Sequence, residues 1–269
     1  MNATQSVPGP ESNLVPGTKE GWRLEELLID RIAGLLEGSR HVAAGVSSPI
    51  PGSAALLARH LSGGVMRVSV LGSRNLQSFT DGGVEIFDLA AQGRIDAFFL
   101  SGGQIDGAGN INLVGIGDYP RQKVRWSGSF GSAYLYYLVP RVILFRLEHT
   151  RRTMVEQVDF ISGPGSSPDN VYRQGGPYAL ITDRCLFAFD RDKQRFRLDS
   201  LHPGHTLEEV QENTGFEFDV AQGGSSPLPT TPGPDASRLA LIRGEIAAAI
   251  ADPYPKFATE VLGLEGNLT

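Results

Sequence analysis

Two glycine-bearing stretches carry residue types suited to handling a carbonyl or an anion. Gly45-Val46-Ser47-Ser48-Pro49-Ile50-Pro51-Gly52 follows one short apolar run, and Gly102-Gly103-Gln104-Ile105-Asp106-Gly107-Ala108-Gly109-Asn110 follows another. Glycine lets the backbone approach a ligand and aim N–H groups at a developing negative charge. Turn geometry also explains Gly, Asn and Asp at such places, and for either loop alone it is the simpler reading. Gly128-Ser129-Phe130-Gly131 comes near a nucleophile elbow, which wants glycine two residues before and two after the serine. Gly131 fits, Ser127 fills the other place, and the stretch reads as a tight Gly/Ser loop. A phosphate loop needs a terminal lysine, and none stands at such a place.

The histidines give weaker signals. His202-Pro203-Gly204-His205 crosses a turn and lacks a third ligand nearby, so both read as surface histidines. His149 reads as a buried, hydrogen-bonded histidine or a strand-end surface group. With Arg151 and Arg152 it also offers a minority reading as a cationic patch for an anion. The single Cys185 excludes an intrachain disulfide and a cysteine-clustered zinc site. No metal site is expected.

Positioning these residues requires a core. The 269 residues correspond to one large or two small domains of ~150 residues. Hydrophobic residues at 41% against 20% charged make wholesale disorder a poor description. A net charge of −6 argues against general nucleic-acid binding, which depends on Lys and Arg neutralising phosphates. The longest apolar runs, such as Ala97–Leu100, are too short to span a bilayer. Residues 1–20 lack the basic and apolar regions of a signal peptide and read as a flexible tail. The cytoplasm is the default compartment.

Residues 21–269 read as one domain. Leu24, Leu27, Leu28, Ile32, Leu35 and Leu36 share a helical face, with Gly38 as its stop. His41–Ala44 reads as a strand. Ser53 is expected to cap a helix over Ala54–Leu61, followed by a strand over Val65–Leu71. A helix over Val84–Gln92 and a strand over Ile95–Leu100 repeat the pattern, and Ile111–Ile116 is extended. Pro140–Leu147 is the most β-prone segment. Tyr178–Thr182 and Cys185–Phe189 form two strands across a turn at Asp183-Arg184. Thr206-Leu207-Glu208-Glu209 is a capping box. Residues 222–234 read as a linker, and a last helix over 237–250 docks through Leu239, Ile242, Ile246 and Ile250. The alternation predicts an α/β fold with an open, mainly parallel sheet flanked by helices. Both glycine stretches then fall at strand carboxyl ends, where open sheets bind ligands.

The stretch from Phe98 to Gly131, FFLSGGQIDGAGNINLVGIGDYPRQKVRWSGSFG, resembles the β-subunits of class I coenzyme A transferases, particularly the glutaconate type. The likeness continues through Glu148–Arg152, Val158–Ile161, Leu180–Asp183 and Glu209–Phe216, covering about residues 22 to 220. It implies a coenzyme A-transferase-like fold and an α-subunit partner, with the site between the chains. It implies an acyl-CoA thioester as substrate, no permanently bound cofactor, and no nucleic-acid or membrane partner. Gly45–Gly52 resembles the family's first glycine loop. Gly102, Gly103 and Gln104 match the loop lining the acyl-thioester site, and Asp106, Gly109 and Asn110 the turn behind it. Gly128, Ser129 and Gly131 are weaker candidates for contact with the acyl group or pantetheine arm.

One departure matters more than these matches. The family's nucleophile is a glutamate at the end of the strand after the first crossover. It attacks the acyl-CoA carbonyl and then carries coenzyme A as a thioester. Here Leu71 stands at or next to that position, and Val70 and Gly72 beside it are equally inert. Ser69 and Ser73 have no base evident in the sequence. Coenzyme A transfer remains the family default. Decarboxylation or C–C hydrolysis of a CoA ester, with a carboxylate from the partner, is the alternative; a non-catalytic scaffold or regulatory subunit is another.

Overall fold

The computed structural model describes residues 21–221 and 228–265. The expected tail at 1–20 and the first part of the expected linker lie outside them.

The elements run α1 (Leu24–Leu35), β1 (His41–Ala44), α2 (Pro49–Leu61), β2 (Arg67–Val70), α3 (Gly82–Ala91) and β3 (Ala97–Leu100). Four two-residue strands follow: β4 (Gln104–Ile105), β5 (Ile111–Asn112), β6 (Gly115–Ile116) and β7 (Val124–Arg125). Then come α4 (Ser132–Leu138), β8 (Arg141–Phe145), β9 (Pro177–Ile181), β10 (Cys185–Asp190), β11 (Arg195–Leu201), α5 (Leu207–Asn213) and β12 (Asp219–Val220). Last are α6 (Ala236–Leu241), a π-helical stretch (Ile242–Ile246), α7 (Ala247–Ile250) and a second π-helical stretch (Phe257–Val261).

Eight strands form one sheet in the order β12-β11-β10-β9-β8-β3-β1-β2. The block β9-β8-β3-β1-β2 is parallel throughout, while β10 runs antiparallel to both neighbours. Strand alternation divides the core. Val42, Ala44, Val68, Val70, Ala97, Phe99 and Ile143 pack with α1, α2 and the C-terminal helix on one face. Ala43, Phe98, Val142 and Leu144 pack with α3 and α4 on the other. This is why Ile95–Leu100 and Pro140–Leu147 read as continuous apolar runs: both faces are covered.

Several expectations change. Helix α2 begins at Pro49, not Ala54, because proline is tolerated in a first turn, where its missing N–H has no helical partner anyway. Ser53 is therefore a buried mid-helix residue rather than a cap. Strand β11 has no counterpart among the expected elements, although Phe196 and Leu198 alternate with Arg195, Arg197 and Asp199 as a half-buried strand should. Residues 228–234 are seated rather than free. Leu201 N–H donates to the Pro229 carbonyl, Thr231 N–H donates to the Leu201 carbonyl, and Gly233 packs on the Trp22 ring. The Thr206 hydroxyl does accept from Glu209 N–H, but the Glu209 carboxylate turns away to Arg184 and His205. No helix among the described residues is long and apolar enough to cross a membrane.

Candidate active site at the carboxyl edge of the sheet

Because β2, β1, β3 and β8 are parallel, their carboxyl ends meet along one edge. A cleft of about 460 Å³ opens there, lined by Ser47, Ser48, Ser101, Arg146 and Glu148 among others. Gly45 leaves β1 at this edge. A Cβ there would meet only the Phe98 ring, at 3.9 Å. Ser47 takes the left-handed conformation (φ 58°), and Ser48 N–H donates to the Tyr254 hydroxyl at 3.0 Å. Gly52 does not belong to this loop. It sits in the first turns of α2, where its missing side chain leaves room for Ile250 (3.1 Å) and Val70. Its glycine serves packing against the C-terminal helix.

Leu71 follows β2 directly. Its N–H donates to the Ala44 carbonyl at 2.9 Å, and its half-buried side chain packs on the α3 side of the sheet. Gly72 (φ 87°) then turns the chain beside Val46. Asp252, just beyond α7, reaches this turn. It accepts from the Ser73 hydroxyl and from the N–H groups of Arg74 (2.8 Å) and Asn75 (3.1 Å). These bonds, the Ser73 one foremost, hold its carboxyl below the usual range. Asp252 is thus a loop anchor.

The second glycine stretch is largely self-satisfied. Gly102 is buried, and a Cβ there would strike the Gln104 carbonyl at 2.6 Å. Gly103 N–H donates to the Asn112 carbonyl at 2.8 Å, and its α-carbon lies against the Trp126 ring. The Gly103 amide hydrogen is thus committed across the loop rather than left open at the sheet edge. Gln104 is also turned inward. Its Oε1 accepts from Asn112 Nδ2 (2.7 Å) and Asp159 N–H (2.9 Å). Asp106 closes an Asx turn, accepting from Ala108 N–H (3.1 Å), Asn110 N–H (3.1 Å) and Asn110 Nδ2 (3.0 Å). Asn110 Oδ1 accepts from Gly165 N–H at 3.0 Å. Gly109 (φ 74°) lets Pro177 and Phe189 close over the turn. Removing the Asp106 carboxylate leaves buried donors unpaired, so Asp106→Ala should cost about 1–3 kcal/mol. A urea titration of the variant against the parent checks this.

Gly128 (φ 102°) has open space around it, Ser129 is half-buried, and Gly131 lies against the Phe87 ring. The stretch forms the turn into α4, with Ser132 N–H donating to the Ser129 carbonyl. Phe130, at its tip, is 91% exposed.

The sequence reading names Arg152 only in a minority cationic patch and gives Arg146 and Glu148 no individual role; the latter two line the cleft. Arg146 Nη2 lies 2.7 Å from Glu148 Oε2, and Arg152 Nη2 lies 2.5 Å from Glu148 Oε1. The Arg152 hydrogen bond, with help from Arg146, holds the Glu148 carboxyl below its usual value. Glu148 is therefore ionised near neutrality, and two guanidiniums against one carboxylate leave the cluster cationic. The signal available was an Arg-x-Glu spacing at the end of the most β-prone strand, a place where residues i and i+2 share a face.

His149 and His202 are both buried. His149 is buried between the hydroxyls of Thr182 and Thr214, both at 2.9 Å, and burial lowers its pKa to about 4. This matches the buried alternative and removes the cationic patch at this residue. His202 was expected at the surface and is instead buried. Its ring lies 2.9 Å from the Thr231 hydroxyl and 3.1 Å from the Thr182 carbonyl, and burial lowers its pKa to about 4. The reason is that residues 228–234 dock over it. His205 is half-buried against Glu209. Among the described residues, no group of three or more His, Cys, Asp or Glu could hold a metal ion.

An open, mostly parallel sheet with glycine loops at its carboxyl edge is an α/β architecture that binds ligands where those loops leave the sheet. The coenzyme A transferase family model matches residues 40–213, and the chain belongs to that family. It is 39% identical over 145 residues to one subunit of the 3-oxoadipate CoA-transferase of Pseudomonas knackmussii, covering 51% of this chain and 55% of that protein. It is 33% identical over 155 residues to one subunit of the glutaconate CoA-transferase of Acidaminococcus fermentans, covering 55% and 56%. The chain spans little more than half the length of these relatives in the matched regions. Among solved structures, the decarboxylase AibA/AibB superposes with a TM-score of 0.68 at 25% identity, over 84% of this chain and 98% of that one.

Proposed function

We propose that this chain is the β-type half of a heteromeric enzyme acting on an acyl-CoA thioester, and that it supplies no covalent nucleophile to that reaction. The observation that carries this reading is Leu71. It stands at the carboxyl end of β2, where the family resemblance implies a glutamate. A hydrocarbon side chain cannot form an acyl anhydride or a thioester. Glu148 does not replace it, because both its oxygens are engaged by guanidiniums.

What this chain brings is positive charge and shape. Arg146 favours an anionic group in the cleft, with Arg152 neutralising Glu148 from behind, and the Gly45–Ser48 turn allows close backbone approach. Decarboxylation or C–C hydrolysis of a CoA ester proceeds through an enolate, which such groups can stabilise without a covalent link. The acid or base would come from the α-subunit, seated across the cleft. Likeness to a decarboxylase supports this reading. So does a 31% identity over 169 residues to the cholesterol ring-cleaving hydrolase IpdB subunit of Rhodococcus jostii. Coenzyme A transfer is the second reading, favoured by the 39% identity to a transferase subunit; it would require the partner to carry the covalent intermediate. A cytoplasmic location fits either reaction.

The test is co-expression with the α-subunit, incubation with acyl-CoAs and borohydride trapping, read by mass spectrometry. The expected result is little turnover by this chain alone, product formation by the pair, and residue 71 unmodified. A trapped thioester on this chain, or full turnover without the partner, would overturn the proposal.

A further inference from the structure

Strand β2 carries a hydroxyl relay that the acyl-CoA reading leaves unused. His41 opens β1, and its Nε2 lies 2.9 Å from Ser69 Oγ on β2. Ser69 Oγ lies 2.7 Å from Ser78 Oγ. On the other side of the ring, Nδ1 is 3.1 Å from the Arg94 carbonyl. A carbonyl only accepts, so Nδ1 carries the hydrogen. Burial first, then the Arg67 charge, lowers the His41 pKa; the hydrogen bond to the Arg94 carbonyl and the Asp96 charge oppose the fall, and the Arg94 charge adds slightly to it. Nε2 is therefore bare and accepts from Ser69, which in turn accepts from Ser78. Phe79 packs beside the ring with a centroid separation of 6.1 Å. Ser69 is fully buried, whereas Ser78 is exposed. Ser78 lines an open cleft of about 370 Å³ along the free edge of β2, together with Arg59 and Arg67.

The geometry points to Ser78 as a nucleophile toward small anionic acyl donors, with Ser69 and His41 taking its proton and Arg59 and Arg67 holding the anion. As the Ser78 Oγ–acyl bond forms, the bond from the acyl carbon to the leaving group breaks, and the leaving group departs with that electron pair. The Ser78 proton passes to Ser69, whose own proton passes to His41 Nε2 and then to solvent. Water afterwards adds to the acyl carbon, and Ser78 leaves as the hydroxyl. The arrangement runs from β1 through edge strand β2 to the loop that follows it and owes nothing to the acyl-CoA reading.

The probe is 4-nitrophenyl succinate, an anionic ester, applied to the full chain alone without coenzyme A. Expected are release of 4-nitrophenolate and a succinyl mass on the peptide containing Ser78. Ser78→Ala should remove the adduct. Ser69→Ala, which breaks the relay but leaves Ser78 in place, should slow acylation about 100-fold. The neutral ester 4-nitrophenyl acetate should react more slowly than the succinate. The parent rate should hold through the ordinary imidazole range and fall only at lower pH, as His41 gains a proton. An unmodified Ser78, equal rates in Ser69→Ala, or no preference for the anionic ester would each overturn the proposal. Should Ser69→Ala fail to fold, the pH profile decides: a rate rising steadily with hydroxide would sink it. Because no coenzyme A is present, failure here leaves the acyl-CoA reading standing.

Discussion

On the proposed acyl-CoA reading, valine at position 103 should lower turnover by the chain paired with an α-type partner on the order of 100-fold. A Cβ at Gly103 would lie 2.2–2.5 Å from three atoms of the Trp126 six-membered ring, so the ring cannot stay where it is. Trp126 is fastened through its backbone N–H to the Val114 carbonyl at 3.0 Å, at the end of the short β6–β7 ribbon. Expelling the indole therefore moves the ribbon as well as the loop. Overpacking of this kind costs about 1–3 kcal/mol, which a domain of this size can survive. The check is threefold: turnover with the partner, a denaturant melt, and the emission of Trp126 against that of Trp22, which is buried elsewhere. Gly45→Ala is the contrast. Its Cβ would make ordinary van der Waals contact with Phe98, so folding should be nearly unchanged. Unaffected turnover in Gly103→Val would reduce the GGQID loop to a turn without a functional role.

Acid should unfold this protein well above the pH at which its ion pairs are lost. His149 and His202 are held neutral in the fold, each with a pKa of about 4, chiefly by burial. In the unfolded chain each returns to ~6.5. Below that value the unfolded state binds more protons than the folded one, so stability falls as pH falls. The loss begins near pH 6.5, grows down to about pH 4 and is complete below it. At ~1.4 kcal/mol per pH unit, each histidine removes on the order of 3 kcal/mol. Two such losses are a large part of a typical folding stability of about 5–15 kcal/mol. Urea titrations at neutral pH and at pH near 4.5 should show this loss, and His202→Gln should flatten part of the pH dependence. A stability that stays level through this range would show that neither ring is buried neutral.

Much of the scaffold is legible from local pattern. Strands covered on both faces announce themselves as apolar runs, as at Ala97–Leu100 and Arg141–Phe145. The C-terminal helix is marked by Leu239, Ile242, Ile246 and Ile250, all of which are buried. Helix α2 starts earlier than its pattern suggests because Ser53 resembles a cap, whereas Pro49 tolerates the first turn. Strand β11 is hidden because alternating arginines mask two inward residues. Residues 228–234 have a linker's composition and yet pack, since prolines and threonines can pair with a strand end without forming a ladder.

The candidate site is legible in position but not in detail. Gly102–Asn110 does occupy a strand's carboxyl end, as the pattern required. Which of its polar groups remain free could not be read along the chain. Gly103 N–H meets Asn112, Gln104 meets Asp159, and Asn110 meets Gly165. Those contacts convert the stretch from a row of donors into a rigid hairpin whose outer face belongs to Trp126.

The order of residues by itself determined the alternation of strands and helices, the two faces of the sheet, and the absence of a carboxylate at position 71. Each of these depends on residue type and on neighbours a few places away. Tertiary structure alone decided that His202 lies under Thr231, that Glu148 sits between two guanidiniums, and that Ser69 finds a base in His41. Burial and hydrogen bonding are set by what arrives from distant parts of the chain, and a proton's owner follows from those arrivals.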